Sequence, residues 1–168
     1  FSSQSDVGLF SVLYQLGYYP VALFTEMLFS LLTPILFSRA GDGKNSERLN
    51  NAIRLNLKIF GAVLLTTLFI FFATWTTHEL IFKIFVAEEY RKVSNLLPWV
   101  SLSAGLVTSG HILSLARMSA LETKALIVPK VLTSVLGILL NVLGAFLYGL
   151  EGIIMALLLF SVIYLGWM

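Results

Sequence analysis

The stretch VGLFSVLYQLGYYPVALFTEMLFSLLTPILF, residues 7–37, contains a single formal charge, which is Glu26. An α-helix needs about 20 apolar residues to cross the hydrocarbon core of a bilayer, so this stretch is long enough to span a membrane. Pro20 and Pro34 are the expected kink points, because proline removes a backbone donor. A carboxylate that faces lipid at this depth costs about 2–3 kcal/mol or more. We therefore expect Glu26 to face the inside of a helix bundle.

The composition extends this interpretation to the whole chain of 168 residues, of which 58% are hydrophobic and 12% charged. Soluble domains carry about 25% charged residues, so the chain has too little polar surface to cover a globule in water. We predict an all-α, multi-pass transmembrane helix bundle, with residues 1–168 forming part of a single transmembrane transporter domain in a longer protein. The predicted spans are about five, at residues 7–37, 56–77, 94–116, 126–148 and 151–168.

The basic residues predict an orientation. The loop of residues 39–58 and the loop that holds Arg117, Lys124 and Lys130 together contain eight Lys and Arg, against three on the opposite side. The positive-inside rule therefore places the loop of residues 39–58 in the cytoplasm and the N-terminus of the chain outside. Asn45 or Ser46 is expected to cap the helix that follows this loop.

A helical projection of the first span gathers its polar side chains on one face. With about 100° per residue, the face contains Ser11, Gln15, Tyr18, Tyr19, Ala22, Glu26, Ser30 and Thr33. Two interpretations stay open for Glu26: a dry, hydrogen-bonded contact with a neighbouring helix, or a wall of a polar cavity or transport path. The tyrosine pair Tyr18 and Tyr19 also suits a sugar-like ligand, because it offers flat faces and hydroxyl groups.

Other polar residues extend the set of candidate sites. His111, in TSGHILSLARM, is a candidate for the substrate path or for a contact satisfied by neighbouring helices. Arg117 and Lys130 can attract an anionic headgroup at the cytoplasmic mouth, although cations are expected at that side in any case. Asn141 is interpreted as a hydrogen-bonding contact between helices. The sequence contains no catalytic triad, nucleotide-binding loop, metal-spaced cluster or nucleic-acid motif, and it has no cysteine for disulfides or thiolate metal sites.

Three stretches carry a family resemblance. They are SDVGLFSVLYQLGYYPVALFTEMLFSLLTPILFSR (residues 5–39), ELIFKIFVAEEYRKVSNLLPWVSLS (residues 79–103) and LNVLGAFLYGLEGIIMALLLFSVIY (residues 140–164). They resemble Wzx-type O-antigen and polysaccharide flippases, within the superfamily that also holds lipid II flippases and multidrug (MATE) antiporters. In that family the matching region is the eighth to twelfth helices, and even-numbered helices run from outside to inside.

The resemblance implies a transporter and no enzyme. It implies a V-shaped bundle that moves an undecaprenyl-pyrophosphate-linked oligosaccharide, a lipopolysaccharide O-antigen or other repeat unit, across the bacterial inner membrane by alternating access. Gln15, Tyr18, Tyr19, Glu26, Ser30 and His111 would line the path, with no cofactor but with coupling to a proton or sodium gradient. The implied partners are the lipid-linked substrate, the bilayer and the polysaccharide polymerase and chain-length machinery, and no nucleic acid.

Two alternatives stay open. One is an ion-coupled drug or metabolite antiporter of the same superfamily, in which Glu26 would carry the proton or sodium ion. The other is a membrane-embedded glycosyltransferase or ligase, a class that needs catalytic groups on large outer loops, whereas the predicted outer loops here are short.

Overall fold

The structure is a computed structural model that describes residues 4–41, 45–120 and 123–168, with side chains from residue 7 onward. In these ranges the backbone forms helices and short turns, and no strand. Four of the described helical segments are long and apolar enough to cross a membrane. The elements in chain order are α1 (Gln4–Leu13), a π-helical turn (Tyr14–Tyr18), α2 (Tyr19–Ala40), α3 (Ser46–Phe85), a 3₁₀ helix (Glu88–Leu96), α4 (Leu97–Ser119) and α5 (Thr123–Trp167).

The first long helix changes its winding before Pro20. The Tyr19 N–H donates to the carbonyl of Tyr14, five residues earlier, which closes a π-type turn. Pro20 has no N–H to donate to the fourth carbonyl before it, and its ring would clash with that carbonyl in a regular α-helix. A wider turn relieves this conflict, and π turns of this kind occur often at functional sites. The helix then continues as α2, with Pro34 inside it.

Helix α3 begins at a polar cap, as the sequence predicts. The Asn45 side-chain oxygen accepts hydrogen bonds from the backbone N–H groups of Glu47 and Arg48, at 3.0 and 3.1 Å. The helix then runs without interruption through the basic stretch and the apolar stretch to Phe85. The basic part of the predicted loop is therefore largely helical, because the cap lies at residue 45.

Helix α4 lies at the centre of the bundle. It begins at Leu97 with a proline in its first turn, and it contacts α2, α3 and α5. Its buried residues are mostly small, among them Ser101, Ser103, Ala104, Gly105, Thr108, Ser109, Gly110 and Ser114. Small side chains let neighbouring backbones approach closely, which is the usual basis of helix packing in membranes.

Helix α5 folds back on itself at Gly149. The backbone angles there are φ 58° and ψ −131°, a conformation that glycine adopts more readily than other residues. The two arms pack against each other near this turn, and a Cβ atom at Gly144 or Gly152 would collide with the backbone of the other residue. The short sequence YGLEG (residues 148–152) is therefore a tight reversal between two apolar arms.

Three apolar clusters hold the helices together. One joins α1, α3, α4 and the second arm of α5 through Leu9, Leu13, Phe82, Val93, Leu97, Val100 and Ile154. The second joins α2 to α4 through Leu36, Ile112 and Leu115, and the third contains Leu126, Tyr164 and Met168. The outer faces of the helices carry large exposed apolar side chains such as Leu65, Phe69 and Phe146. An apolar exterior of this kind fits a lipid environment.

Candidate functional site

A cleft of about 670 Å³ lies between α2 and α4. We call it the α2–α4 cleft. Its walls are Tyr18, Ala22, Thr25, Glu26, Phe29, Ser30, Thr33 and Pro34 from the first long helix, and Ala104, Val107, Thr108 and His111 from α4. The α2 residues recur every three or four positions, so a single helix face supplies them. The cleft is therefore a mostly apolar recess into which a few polar side chains, Glu26 and His111 among them, project.

Four of the six residues that the sequence nominated for the path meet in this cleft: Tyr18, Glu26, Ser30 and His111. Glu26 is exposed to the cleft, and its carboxylate makes no ion pair with the described residues. The Ser30 hydroxyl donates to the Met27 carbonyl of its own helix at 2.8 Å. The hydroxyl oxygen keeps its lone pairs, so it remains able to accept a hydrogen bond from a ligand.

Gln15 and Tyr19 lie apart from the other four. Gln15 lines a separate recess of about 210 Å³ together with Phe85 and Tyr90, and its amide donates to the Ser11 hydroxyl at 3.3 Å. Tyr19 is an exposed side chain at the start of α2. A π turn advances the chain by less than 100° per residue, so Gln15, which lies inside the turn, rotates away from the face that a regular helix would give it. The winding change before Pro20 therefore separates Gln15 from the predicted stripe. Tyr19 follows the turn, so this change does not account for its position.

Aromatic rings form a short ladder at the end of the cleft that Tyr18 lines. The rings of Tyr14 and Tyr18 stack with centroids 4.5 Å apart, and Phe10 lies 5.7 Å from Tyr14. The aromatic partner of Tyr18 is thus Tyr14 and not Tyr19. The ladder offers flat apolar faces with two phenolic hydroxyls at its edge.

His111 links α4 to the helices on both sides of it. Its ring lies edge-on to Phe29 of α2 at 6.2 Å and tilted to Tyr164 of α5 at 5.4 Å. One edge of the half-buried imidazole also lines the cleft. This residue therefore combines helix packing with access to the cleft.

Arg117 and Lys130 are both exposed, Arg117 in the last turn of α4 and Lys130 near the start of α5. The walls of the α2–α4 cleft do not include either side chain. Asn141 donates its amide to the Gly137 carbonyl of its own helix at 2.8 Å, so this bond does not join two helices.

Two polar contacts that the sequence did not single out join helices beside the cleft. The hydroxyls of Thr25 and Thr108 hydrogen bond to each other between α2 and α4. Asn56 of α3 is fully buried and donates to the Ile112 carbonyl of α4 at 2.9 Å. The spacing of Ala52, Asn56 and Thr67, which are all buried on α3, is the signal that would have found Asn56.

The described residues contain no group of three or more His, Cys, Asp or Glu arranged to hold a metal ion. The side-chain groups of the cleft that can interact with a ligand are one carboxylate, one imidazole, hydroxyl groups and aromatic rings. Such a set can form hydrogen bonds with a polar ligand, stack against it and exchange protons with it.

The chain was also compared with protein-family models, with curated protein sequences and with solved structures. None of these three comparisons gives a match.

Proposed function

We propose that the chain is part of a membrane transporter of the polysaccharide-flippase type. Its substrate would be an oligosaccharide carried on undecaprenyl pyrophosphate, and it would cross the bacterial inner membrane by alternating access. The observation that carries the proposal is the α2–α4 cleft, which places Glu26, Ser30 and His111 together between apolar helices. Intramembrane ionisable groups are costly, and where they occur they usually mark a substrate or ion pathway.

The few polar groups in the mostly apolar wall of the cleft support a substrate with a polar part, such as a sugar. Hydroxyl and carboxylate groups offer hydrogen bonds to sugar hydroxyls, and the Tyr18 ring, which lines the cleft, offers an aromatic surface for a pyranose ring. The lipid tail would stay in the bilayer, where the large apolar side chains outside the cleft meet acyl chains. In this proposal five membrane crossings arise because the two arms of α5 count separately on either side of Gly149.

The proposal includes the setting of the transporter. Five crossings would form part of a longer bundle, with the loop of residues 39–58 in the cytoplasm and the N-terminus of the chain outside. The polysaccharide polymerase and chain-length machinery would receive the translocated product. We propose transport without catalysis, driven by a proton or sodium gradient.

An ion-coupled antiporter for drugs or metabolites is the second candidate. The specific observation in its favour is that a carboxylate and an imidazole line one cleft. Both groups can carry a proton, and a carboxylate can also bind sodium. In this alternative Glu26 would exchange the coupling ion, and the cleft would hold a less polar substrate.

The test is the substitution Glu26→Gln in the full-length protein, expressed in a strain that lacks it. Glutamine keeps the shape of the side chain and removes its charge, so we expect surface polysaccharide to be lost while membrane levels stay normal. Glu26→Asp should keep part of the activity, because it retains the acid. Glu79→Gln, which removes an exposed acid outside the cleft, is the matched control and should behave as wild type.

Wild-type polysaccharide from the Glu26→Gln protein would remove the carboxylate from the mechanism. Poor accumulation of that variant would assign Glu26 to folding. If the protein restores drug resistance but not polysaccharide, the antiporter is the correct alternative.

A further inference from the structure

A basic groove of about 590 Å³ lies where α2 ends and α3 begins. We call it the α2–α3 groove. The residues that line it are Ser38, Arg39, Arg48, Asn51, Arg54, Leu55 and Lys58. Four of these seven side chains are cations, so positive charge is concentrated on a concave surface.

Helix geometry explains how the cations converge. Arg54 and Lys58 lie four residues apart on one side of α3, and Arg48 lies about 120° round the helix from Arg54, so the three cations follow the groove over about 15 Å of helix. Arg39 comes from the last turn of α2. The turn at Gly41, with φ 66°, ends α2, and the Gly41 N–H donates to the Phe37 carbonyl at 2.9 Å. Both helix ends therefore contribute charge to the same recess.

Apolar packing fixes the walls of the groove. Leu36 and Ala40 on α2 and Ala52 on α3 are fully buried. The Arg48 guanidinium lies beside the turn, since a Cβ atom at Gly41 would be 3.4 Å from Arg48 Nη1. The two backbones are therefore held in place before any ligand arrives, which lowers the entropy lost on binding.

Among the described residues the cations of the groove form no ion pair, and Glu47, the acid next to Arg48 on α3, does not line the groove. No carboxylate of those residues lies within 4.0 Å of any of the four cations. The ion pair found among those residues joins Arg91 to Glu88 in the 3₁₀ helix, at 3.2 Å.

The donor set matches a phosphate group. A guanidinium presents a planar fork that binds phosphate oxygens in pairs, and a lysine adds a point charge. Ser38 and Asn51 add a hydroxyl and an amide donor. Basic clusters at the end of a membrane helix commonly attract anionic lipids. We propose that the α2–α3 groove binds a phosphate group, carried either by the headgroup of an anionic phospholipid or by free phosphate.

This site differs from the Arg117 and Lys130 pair, which does not line the groove, and it does not depend on the proposed transport function. The competing explanation is the positive-inside rule, which needs cations on one side of the membrane but no particular geometry. The two explanations differ for arginine-to-lysine changes. Lysine preserves charge and topology, whereas it cannot reproduce the planar fork.

The experiment measures ligand binding to the full chain purified in a neutral maltoside detergent. Native mass spectrometry gives the dissociation constant for dioctanoyl-phosphatidylglycerol, with dioctanoyl-phosphatidylcholine as the zwitterionic comparison, whose phosphate charge is balanced by its choline cation. Equilibrium dialysis with radiolabelled inorganic phosphate measures the second source. The variants are Arg48→Gln with Arg54→Gln, the same pair changed to lysine, and the control Lys83→Gln with Lys92→Gln, which removes two exposed cations far along the chain from the groove.

We expect the glutamine pair to weaken phosphatidylglycerol binding by about 25-fold, since each surface cation contributes about fivefold. The lysine pair should also weaken it, by about fivefold, and the control pair should stay within twofold of wild type. Binding of the lipid alone identifies a headgroup site, and binding of inorganic phosphate as well identifies a general phosphate site.

The proposal is overturned if neither probe binds, if the glutamine pair binds within twofold of wild type, or if the control pair weakens binding equally. Tight binding by the lysine pair also overturns it, because charge alone would then suffice. If circular dichroism shows that the glutamine pair does not fold, the affinity of the lysine pair for phosphatidylglycerol, compared with that of the wild type, tests the proposal instead.

Discussion

Asn56 is a polar side chain whose burial costs the bundle stability. It is fully buried; its amide nitrogen donates to the Ile112 carbonyl at 2.9 Å, but its Oδ1 atom has no partner among the described residues. Hydrogen bonds between membrane helices contribute about 0.6 kcal/mol on average, while an unpaired buried polar atom costs about 1–3 kcal/mol. Asn56 therefore adds little net stability. We interpret it as a residue that sets the register of α3 against α4.

Because of this balance, we expect two substitutions of similar size to affect the free energy of unfolding differently. Asn56→Leu removes both polar atoms and should change the free energy of unfolding by less than about 1 kcal/mol. Asn56→Asp replaces the amide by a carboxyl group that either is buried as a charge or must take up a proton, so it should lower the free energy of unfolding by at least about 2 kcal/mol. Denaturation of the purified variants in detergent measures both values.

Asn50→Asp provides the control, because it makes the same chemical change at an exposed position of the same helix. A stable Asn56→Asp protein would contradict the interpretation, as would a leucine variant that is weaker than the aspartate variant.

Which polar residues meet could be predicted from the sequence only within one regular helix. Tyr18, Glu26 and Ser30 share a face because the 3.6-residue period holds from the π turn onward. Gln15 lies inside the π turn, where that period does not hold, and it lines a different recess. Whether a proline bends a helix or widens a turn depends on the packing around it. The pattern around Pro20 therefore could not decide between these outcomes.

At the scale of elements, helices α3 and α5 pack closely against glycine residues of α4, and these contacts fix their positions. A Cβ atom at Gly105 would collide with the Thr67 side chain of α3, and one at Gly110 would lie 2.7 Å from the Tyr164 ring of α5. The sequence showed α4 as an apolar span but not as the central helix. Its high content of Ser, Gly and Ala is the sequence feature that indicates a central position, because small residues let several neighbouring helices approach closely.

The glycine contact gives a matched pair of substitutions. Gly105→Ala should lower the free energy of unfolding by about 1–3 kcal/mol, the usual cost of overpacking. Gly61→Ala places the same methyl group on α3 where nothing lies within 4 Å, so it should be neutral or slightly stabilising. Thermal unfolding in detergent compares the two variants directly.

A second change identifies the colliding atom. Thr67→Ala removes the side chain that would meet the new methyl group, so the double variant with Gly105→Ala should recover most of the lost stability. Additive effects of the two substitutions would show that the strain arises elsewhere on α4.

At the scale of the whole molecule, helix length exceeds membrane thickness. The 40 residues of α3 extend about 60 Å, whereas the hydrocarbon core is about 30 Å thick. Both ends of α3 must therefore leave the hydrocarbon, and both ends carry charge. Arg48 and Arg54 lie at one end, and Glu79 and Lys83 lie at the other.

The all-helical class and the apolar helices were predictable because composition and charge spacing fix them. The count of about five spans stays a prediction. The structure has four long apolar helical segments among its described residues, the last of which reverses at Gly149. The segment YGLEG, residues 148–152, interrupts a long apolar run and is compatible with either a reversal or a kink. The close approach of Gly144 and Gly152 shows that the chain reverses there.

The charge asymmetry makes a prediction about the orientation of the molecule. Ser46 lies at the basic end of α3 and is exposed, so a cysteine there should be cytoplasmic if the positive-inside rule holds. Asn95, in the 3₁₀ helix after the other end of α3, is also exposed and should face outward. Its neighbour Ser94 is a poorer choice, because it is buried and within 3.1 Å of His78 Nδ1.

The chain has no cysteine of its own, so a single cysteine at either position is its only thiol. A membrane-impermeant maleimide applied to intact cells should label Asn95→Cys and spare Ser46→Cys. Lysed cells should give labelling at both positions, which establishes that both thiols are reactive. Labelling of Ser46→Cys but not Asn95→Cys in intact cells would invert the orientation. The α2–α3 groove would then face outward, because Arg48 lies on the same helix end as Ser46.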